Sequence, residues 1–145
     1  MSTDNPLRSY QRIATQTAPP GQLILMLFDG AVCSLERALR GFEFRDPLEF
    51  NMTINNNIIR AQQIVNHLND SLDLARGGEL AATLRRLYKY MHRRLTLSNA
   101  RKSPEGIRET LEHLSVLRDA WGEMLRRDSG VAPAVESFAA PAAIS

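Results

Sequence analysis

The residues able to do chemistry in this 145-residue chain are few: three histidines, one cysteine and sixteen carboxylates. Their spacing decides what they could do. A di-iron site in a helical scaffold needs Glu-x-x-His on each of two helices; the residues three before His67, His92 and His113 are Ile64, Lys89 and Thr110. No two histidines fall at a metal-motif interval. Cys33 lies among aliphatic residues of a helical pattern, where a buried, inert thiol is the default expectation. Being single, it excludes an internal disulfide and a cysteine-rich metal site. Gly77-Gly78 lacks the lysine of a phosphate-cradling loop, and no G-x-S-x-G occurs. Asp29 follows six apolar residues, Leu23 to Phe28, and is expected to be a structural carboxylate, solvated or bonded to N–H groups, rather than a catalytic one. The pattern points away from catalysis, with no cofactor and no metal.

The cations offer a second chemistry. Arg85, Arg86, Lys89 and Arg93 share one helical face, with His92 and Arg94 at its margins, as a nucleic-acid-binding face would. The next helical stretch carries Glu105, Glu109, Glu112, Asp119 and Glu123, which neutralise that face in part. No glycine-aromatic ribonucleoprotein signature or zinc finger accompanies it. The net charge is only +2, although the isoelectric point near 9.0 leaves nucleic acid open. A solvated face or an acidic protein partner is the stronger expectation. Leu23–Phe28 is too short to span a bilayer, and Met1–Asn5 has no basic signal-peptide region. A soluble, cytosolic protein is expected.

These residues are carried by four stretches of helical period. The first starts near Gly21, after Pro19-Pro20, with one seam of Ile24, Leu27, Ala31, Ser34, Ala38 and Phe42. A neighbouring seam is Leu25, Phe28, Val32, Leu35 and Leu39, so this helix is expected to pack against two others. Asp46-Pro47-Leu48-Glu49 caps the second, whose apolar face runs from Phe50 through Ile54, Ile58, Ala61, Val65 and Leu68 to Leu72 and Ala75. Its other side is rich in amides, including Asn55, Gln62, Gln63 and Asn66, with Ile59 and Leu74 among them. Gly77-Gly78 opens the third stretch, and Ser103-Pro104-Glu105 the fourth, which runs to about Arg127 with Ile107, Leu111, Leu114, Leu117, Trp121, Met124 and Leu125 inward. Short connections make neighbours antiparallel. The expected fold is all-α: an antiparallel up-down four-helix bundle over 18–127. A short N-terminal helical segment, 1–17, precedes it, and a disordered Ala/Pro-rich tail, 128–145, follows.

The third stretch has more apolar surface than one interface uses. Leu80, Leu84, Leu87, Met91 and Ser98 form the expected core stripe. Ala81, Tyr88 and Leu95 widen it on one side, Tyr90 and Leu97 on the other, to an arc of about 200° where roughly 100° suffices. Either a deeper core or a partner could use the excess. The amide surface of the second helix could likewise bond a peptide or simply be solvated.

Taken in order, the segments resemble the flagellin export chaperones of bacterial flagella, the flagellar secretion chaperone S family. The matching elements are Tyr10-Gln11; Ala18-Pro19 with Leu23-Ile24-Leu25-Met26-Leu27-Phe28-Asp29-Gly30-Ala31; Ile58-Ile59-Arg60-Ala61-Gln62-Gln63-Ile64-Val65 with Leu72-Asp73; Gly77-Gly78-Glu79 with Leu87-Tyr88-Lys89-Tyr90-Met91 and Arg94-Leu95; and Leu117-Arg118-Asp119-Ala120-Trp121. The likeness covers residues 7–127. Phe28 replaces the family's usual tyrosine, Thr83 a common asparagine, and the tail beyond Arg127 is longer than typical.

The resemblance implies a cytosolic chaperone that binds the disordered C-terminal segment of flagellin. Such a chaperone prevents premature polymerisation and delivers its client to the flagellar type III export gate, with no nucleotide, metal, nucleic acid or membrane insertion. By position, the expected flagellin-binding residues are Tyr10, Ile59, Gln62, Leu84, Leu87, Tyr88, Tyr90, Met91, Arg94 and Leu95. Leu80, Leu84, Leu87 and Met91 are expected to hold the bundle, and Tyr88, Tyr90, Arg94 and Leu95 to sit at its margins. A helical adaptor bundle with an unrelated protein partner is the alternative, and a nucleic-acid-binding bundle using the basic face a weaker one.

Overall fold

The structure is a computed structural model that describes residues 20–130. The expectations for segment 1–17, including Tyr10, and for the tail beyond Gly130 lie outside the described residues. Four helices follow one another: α1 (Pro20–Gly41), α2 (Pro47–Asp70), α3 (Leu74–Arg101) and α4 (Glu105–Gly130). Each packs on its sequence neighbour, and α4 returns to α1, closing a four-membered ring. Antiparallel order follows from the short turns between them. No strand occurs among the described residues.

Local chemistry sets the boundaries. Asp46 Oδ2 accepts from Glu49 N at 2.9 Å, with Pro47 at the first helical position, and α2 starts there. α2 ends at Asp70, earlier than its apolar pattern implied, because Ser71 caps it and Asp73 already caps the next helix by accepting from Arg76 N at 3.1 Å. Leu72 and Ala75 therefore belong to the turn and to α3. Gly78 kinks α3 at φ 57°, ψ −134°, a conformation open to glycine and strained for other residues. The Leu74–Gly77 turn is thereby set off from the main helix. α4 continues past the expected end at Arg127 to Gly130.

Both expected seams of α1 face inward. Leu27 and Leu35 are 0–1% exposed, against Ile54, Ile58, Met91, Leu95 and Ile107 at 0%. Burying such a side chain stabilises the fold by about 1.5–3 kcal/mol. Cys33 differs from expectation. It is exposed on α1, because the two buried seams on either side turn position 33 outward.

α3 differs most. Its buried face is Ala81, Tyr88, Met91, Leu95 and Ser98, while Leu80 is 38% exposed and Leu84 and Leu87 are half-buried. The expected division is thus reversed for Leu80, which leaves the core, and for Tyr88 and Leu95, which enter it. An apolar arc wider than one interface leaves the rotation of a helix open, and neighbours decide it. Here a polar seam with α2 fixes one side: Gln62 Nε2 donates to His92 O at 3.0 Å and to Thr96 Oγ1 at 2.9 Å, and Asn99 Nδ2 to Asn55 Oδ1 at 2.8 Å. The excess apolar edge is left pointing toward α4.

Candidate functional site: an apolar groove between α3 and α4

The α3–α4 seam is tight at one end and open at the other. At the tight end Gly106 lies so close to α3 that a Cβ there would collide with Ser98 Oγ and come within 3.0 Å of Arg94 O. One turn on, Glu109 receives two donors from α3: Tyr90 OH to Oε2 at 2.7 Å and Arg94 Nε to Oε1 at 2.7 Å. His113 Nε2 stands 3.7 Å from the same carboxylate. The Tyr90 hydroxyl and the Arg94 guanidinium, in that order, hold the Glu109 carboxyl below its ordinary range. The bond to Glu109 in turn raises the Tyr90 phenol.

Beyond this point the side chains joining the helices become aliphatic and the seam opens. Leu80, Leu84 and Tyr88 of α3 face Leu117, Ala120 and Trp121 of α4 across a cavity of about 160 Å³. Ile24 and Phe28 of α1 and Leu68, Ser71 and Leu72 at the end of α2 complete it. Only the Ser71 hydroxyl, the Tyr88 phenol and the Trp121 indole N–H bring polarity to this lining. Trp121 Nε1 is already occupied, donating to Gly21 O at 2.8 Å. Burial pushes the Tyr88 phenol well above its ordinary value, so it stays neutral. Leu74 (43%) and Val116 (62%) add exposed apolar surface on α3 and α4. An apolar groove between two helices can seat the apolar face of an amphipathic segment.

The expected binding residues divide among three places. Leu84 and Tyr88 line the groove; Leu87 is half-buried on the same helix, and Tyr90 and Arg94 close its end on Glu109. Met91 and Leu95, at 0% exposure, lie in the core. Ile59 and Gln62 lie on α2: Ile59 is 42% exposed, and Gln62 is committed to the α2–α3 seam. Tyr10 lies outside the described residues. Sequence reasoning placed Leu80, Leu117 and Trp121 in the core and gave Ala120 and Val116 no face. The available signal was in α4, where Val116 and Ala120 widen the apolar stripe of Leu117 and Trp121 on one side.

The other candidates carry less. Asp29 is exposed, with Arg118 Nε 3.9 Å away. His92 is half-buried, and its Nδ1 is buried without a hydrogen-bond partner. Among the described residues no three His, Cys, Asp or Glu come together as metal ligands, and no helix is long and apolar enough to cross a membrane.

Comparison with known proteins meets this geometry. The sequence model of the family described as "Flagellar protein FliS" matches residues 3–128. The chain is 34% identical to the flagellar secretion chaperone FliS of Bacillus subtilis, over 88% of this chain and 92% of that protein. It is 36% identical to the protein of the same name from Salmonella typhimurium, over 86% of this chain and 93% of the relative. The Escherichia coli protein of that name is 33% identical over 77% of this chain and 80% of its own length.

Proposed function

The chain belongs to the flagellar protein FliS family, and on that premise we propose that it is a cytosolic export chaperone for flagellin. It binds the disordered C-terminal segment of flagellin, prevents premature polymerisation and keeps the client competent for flagellar type III export, presenting the complex to the export gate. It is not an enzyme. The observation that carries this reading is the apolar groove between α3 and α4. A disordered client loses chain entropy on binding, and burial of a long apolar face offsets that loss.

In this reading Leu80, Leu84, Tyr88, Leu117 and Trp121 receive apolar anchors of the client at i, i+3, i+4 and i+7. Leu87, Tyr90 and Arg94 border the groove. Tyr10 contributes from the N-terminal segment, Ile59 and Gln62 offer a second contact on α2, and Met91 and Leu95 support the floor from the core. Calorimetry with a peptide matching the flagellin C-terminal segment tests it. One-to-one binding with a large negative heat-capacity change is expected. No heat at micromolar concentrations of both partners overturns it and leaves an adaptor with a different partner.

A further inference from the structure

Tyr88 borders a second cavity, of different chemistry, between α2 and α3. Its volume is about 290 Å³, and it is lined by Asn66 and Asn69 of α2 with Tyr88, Lys89, His92 and Arg93 of α3. Every one of these side chains can donate a hydrogen bond, and none is acidic. Two of their polar atoms, Asn69 Oδ1 and His92 Nδ1, are buried without a partner. Such atoms are uncommon in folded proteins, and two on one cavity mark it as built for a polar occupant.

The basic face of α3 meets this cavity. Arg94, on the opposite edge, is bound to Glu109, and Arg86 Nη2 donates to Thr83 Oγ1 at 3.2 Å. The α4 carboxylates expected to neutralise the face are engaged elsewhere: Glu105 accepts from Ser103, Asp119 from Arg118 and Glu123 from Arg126. Lys89 and Arg93 are exposed and form no ion pair among the described residues. What α2 sets beside them is amide, not acid.

We propose that this pocket binds an oxyanion, the side-chain carboxylate of an acidic peptide segment, with Lys89 and Arg93 at its mouth and Asn69 and His92 within. A half-turn of the Asn69 amide brings Nδ2 inward in place of Oδ1, and one tautomer of neutral His92 carries its proton on Nδ1. Both buried positions then donate. The planar guanidinium of Arg93 matches a carboxylate, and hydrogen bonds assisted by charge are the stronger kind. A nucleic-acid strand calls instead for cations that track its backbone. Here two cations converge on one cavity, while Arg86 and Arg94 are engaged within the protein. The inference rests neither on the apolar groove nor on the identity of the client.

The probe is a short peptide, blocked at both ends, with consecutive Glu and Asp residues, titrated into the isotope-labelled full chain. Its binding should shift the Asn69 side-chain amide and the His92 ring nitrogens in nuclear magnetic resonance spectra. The same peptide with Gln and Asn in place of Glu and Asp should shift neither. Lys89→Gln with Arg93→Gln should weaken binding by about fivefold or more. Arg37→Gln with Arg40→Gln removes the same charge from exposed positions of α1 and should change affinity by less than about twofold. All four positions are exposed, so circular dichroism should be unchanged. Equal weakening by the two pairs overturns the proposal, because it reports diffuse attraction to a basic protein. Binding without shifts at Asn69 and His92, or no binding at all, overturns it too. So does a pocket that responds to inorganic phosphate or a single-stranded oligonucleotide but not to the acidic peptide, since that assigns it to phosphate.

Discussion

The Tyr90 hydroxyl donates to Glu109 Oε2 at 2.7 Å across the α3–α4 seam, two residues along α3 from Tyr88, which lines the apolar groove. With Arg94 Nε on the other carboxylate oxygen at 2.7 Å, the pair forms a boundary between two kinds of packing. On one side Gly106 brings the helices into contact; on the other Leu80, Leu84, Leu117 and Ala120 leave a cleft. The groove has a closed end because a hydrogen-bonded carboxylate sits there, and an open end because the bundle ends there.

The latch gives a pH dependence. Glu109 is held below its ordinary value by Tyr90 and Arg94. A carboxyl depressed in the folded state adds stability that is present above its unfolded value, about 4.3 for glutamate, and is lost as pH falls through the folded value. Glu109→Gln should lower the melting temperature slightly at pH 7, as expected for a pair screened by solvent. The difference from the parent should shrink toward zero by about pH 3. A difference that stays constant across that range would show that the carboxylate charge contributes nothing.

Groove and core are separable by substitution. Leu80→Asp and Val116→Asp fall on exposed positions, 38% and 62%, and should change stability by less than about 1 kcal/mol while weakening the flagellin peptide at least tenfold. Leu95→Ala, at 0% exposure, should cost about 2–5 kcal/mol of stability. Where that variant remains folded, its effect on peptide affinity should be small. Urea denaturation and calorimetry on the three variants measure both quantities. A loss of affinity confined to Leu95→Ala would place the client away from the groove.

Cys33 should behave as a surface thiol. Ellman's reagent should modify it fully in the native protein, at a rate that mild denaturant does not raise, because no opening of the bundle is needed. Protection that is released only on unfolding would restore the buried placement.

Much of the fold was legible in the sequence because helical period, proline and caps are local. Pro47 after Asp46 began α2 where expected, and the twin seams of α1 foretold its two neighbours. α2 was read too long because Leu72 and Ala75 continue its period, whereas the Ser71 cap and the Asp73 bond end it. Cys33 was misplaced because the aliphatic residues around it say nothing about which way one position points. The groove was only half legible: the over-wide arc of α3 announced spare apolar surface, but Leu80 was expected in the core and is exposed, and Leu95 was expected at the margin and is buried.

By itself, the sequence determined the class of the fold, the order and near limits of four helices, the absence of familiar catalytic and metal spacings, and the resemblance that names the family. Tertiary structure decided the rotation of α3, and with it the site. Gln62 and Asn55 hold one edge of that helix to α2, Glu109 holds Tyr90 and Arg94 on the other, and Gly106 closes one end of the seam. The hydrogen-bonded partners are 15 to 44 residues away along the chain. A 200° apolar arc satisfies the period of a helix at several rotations, and only contacts between distant residues select one.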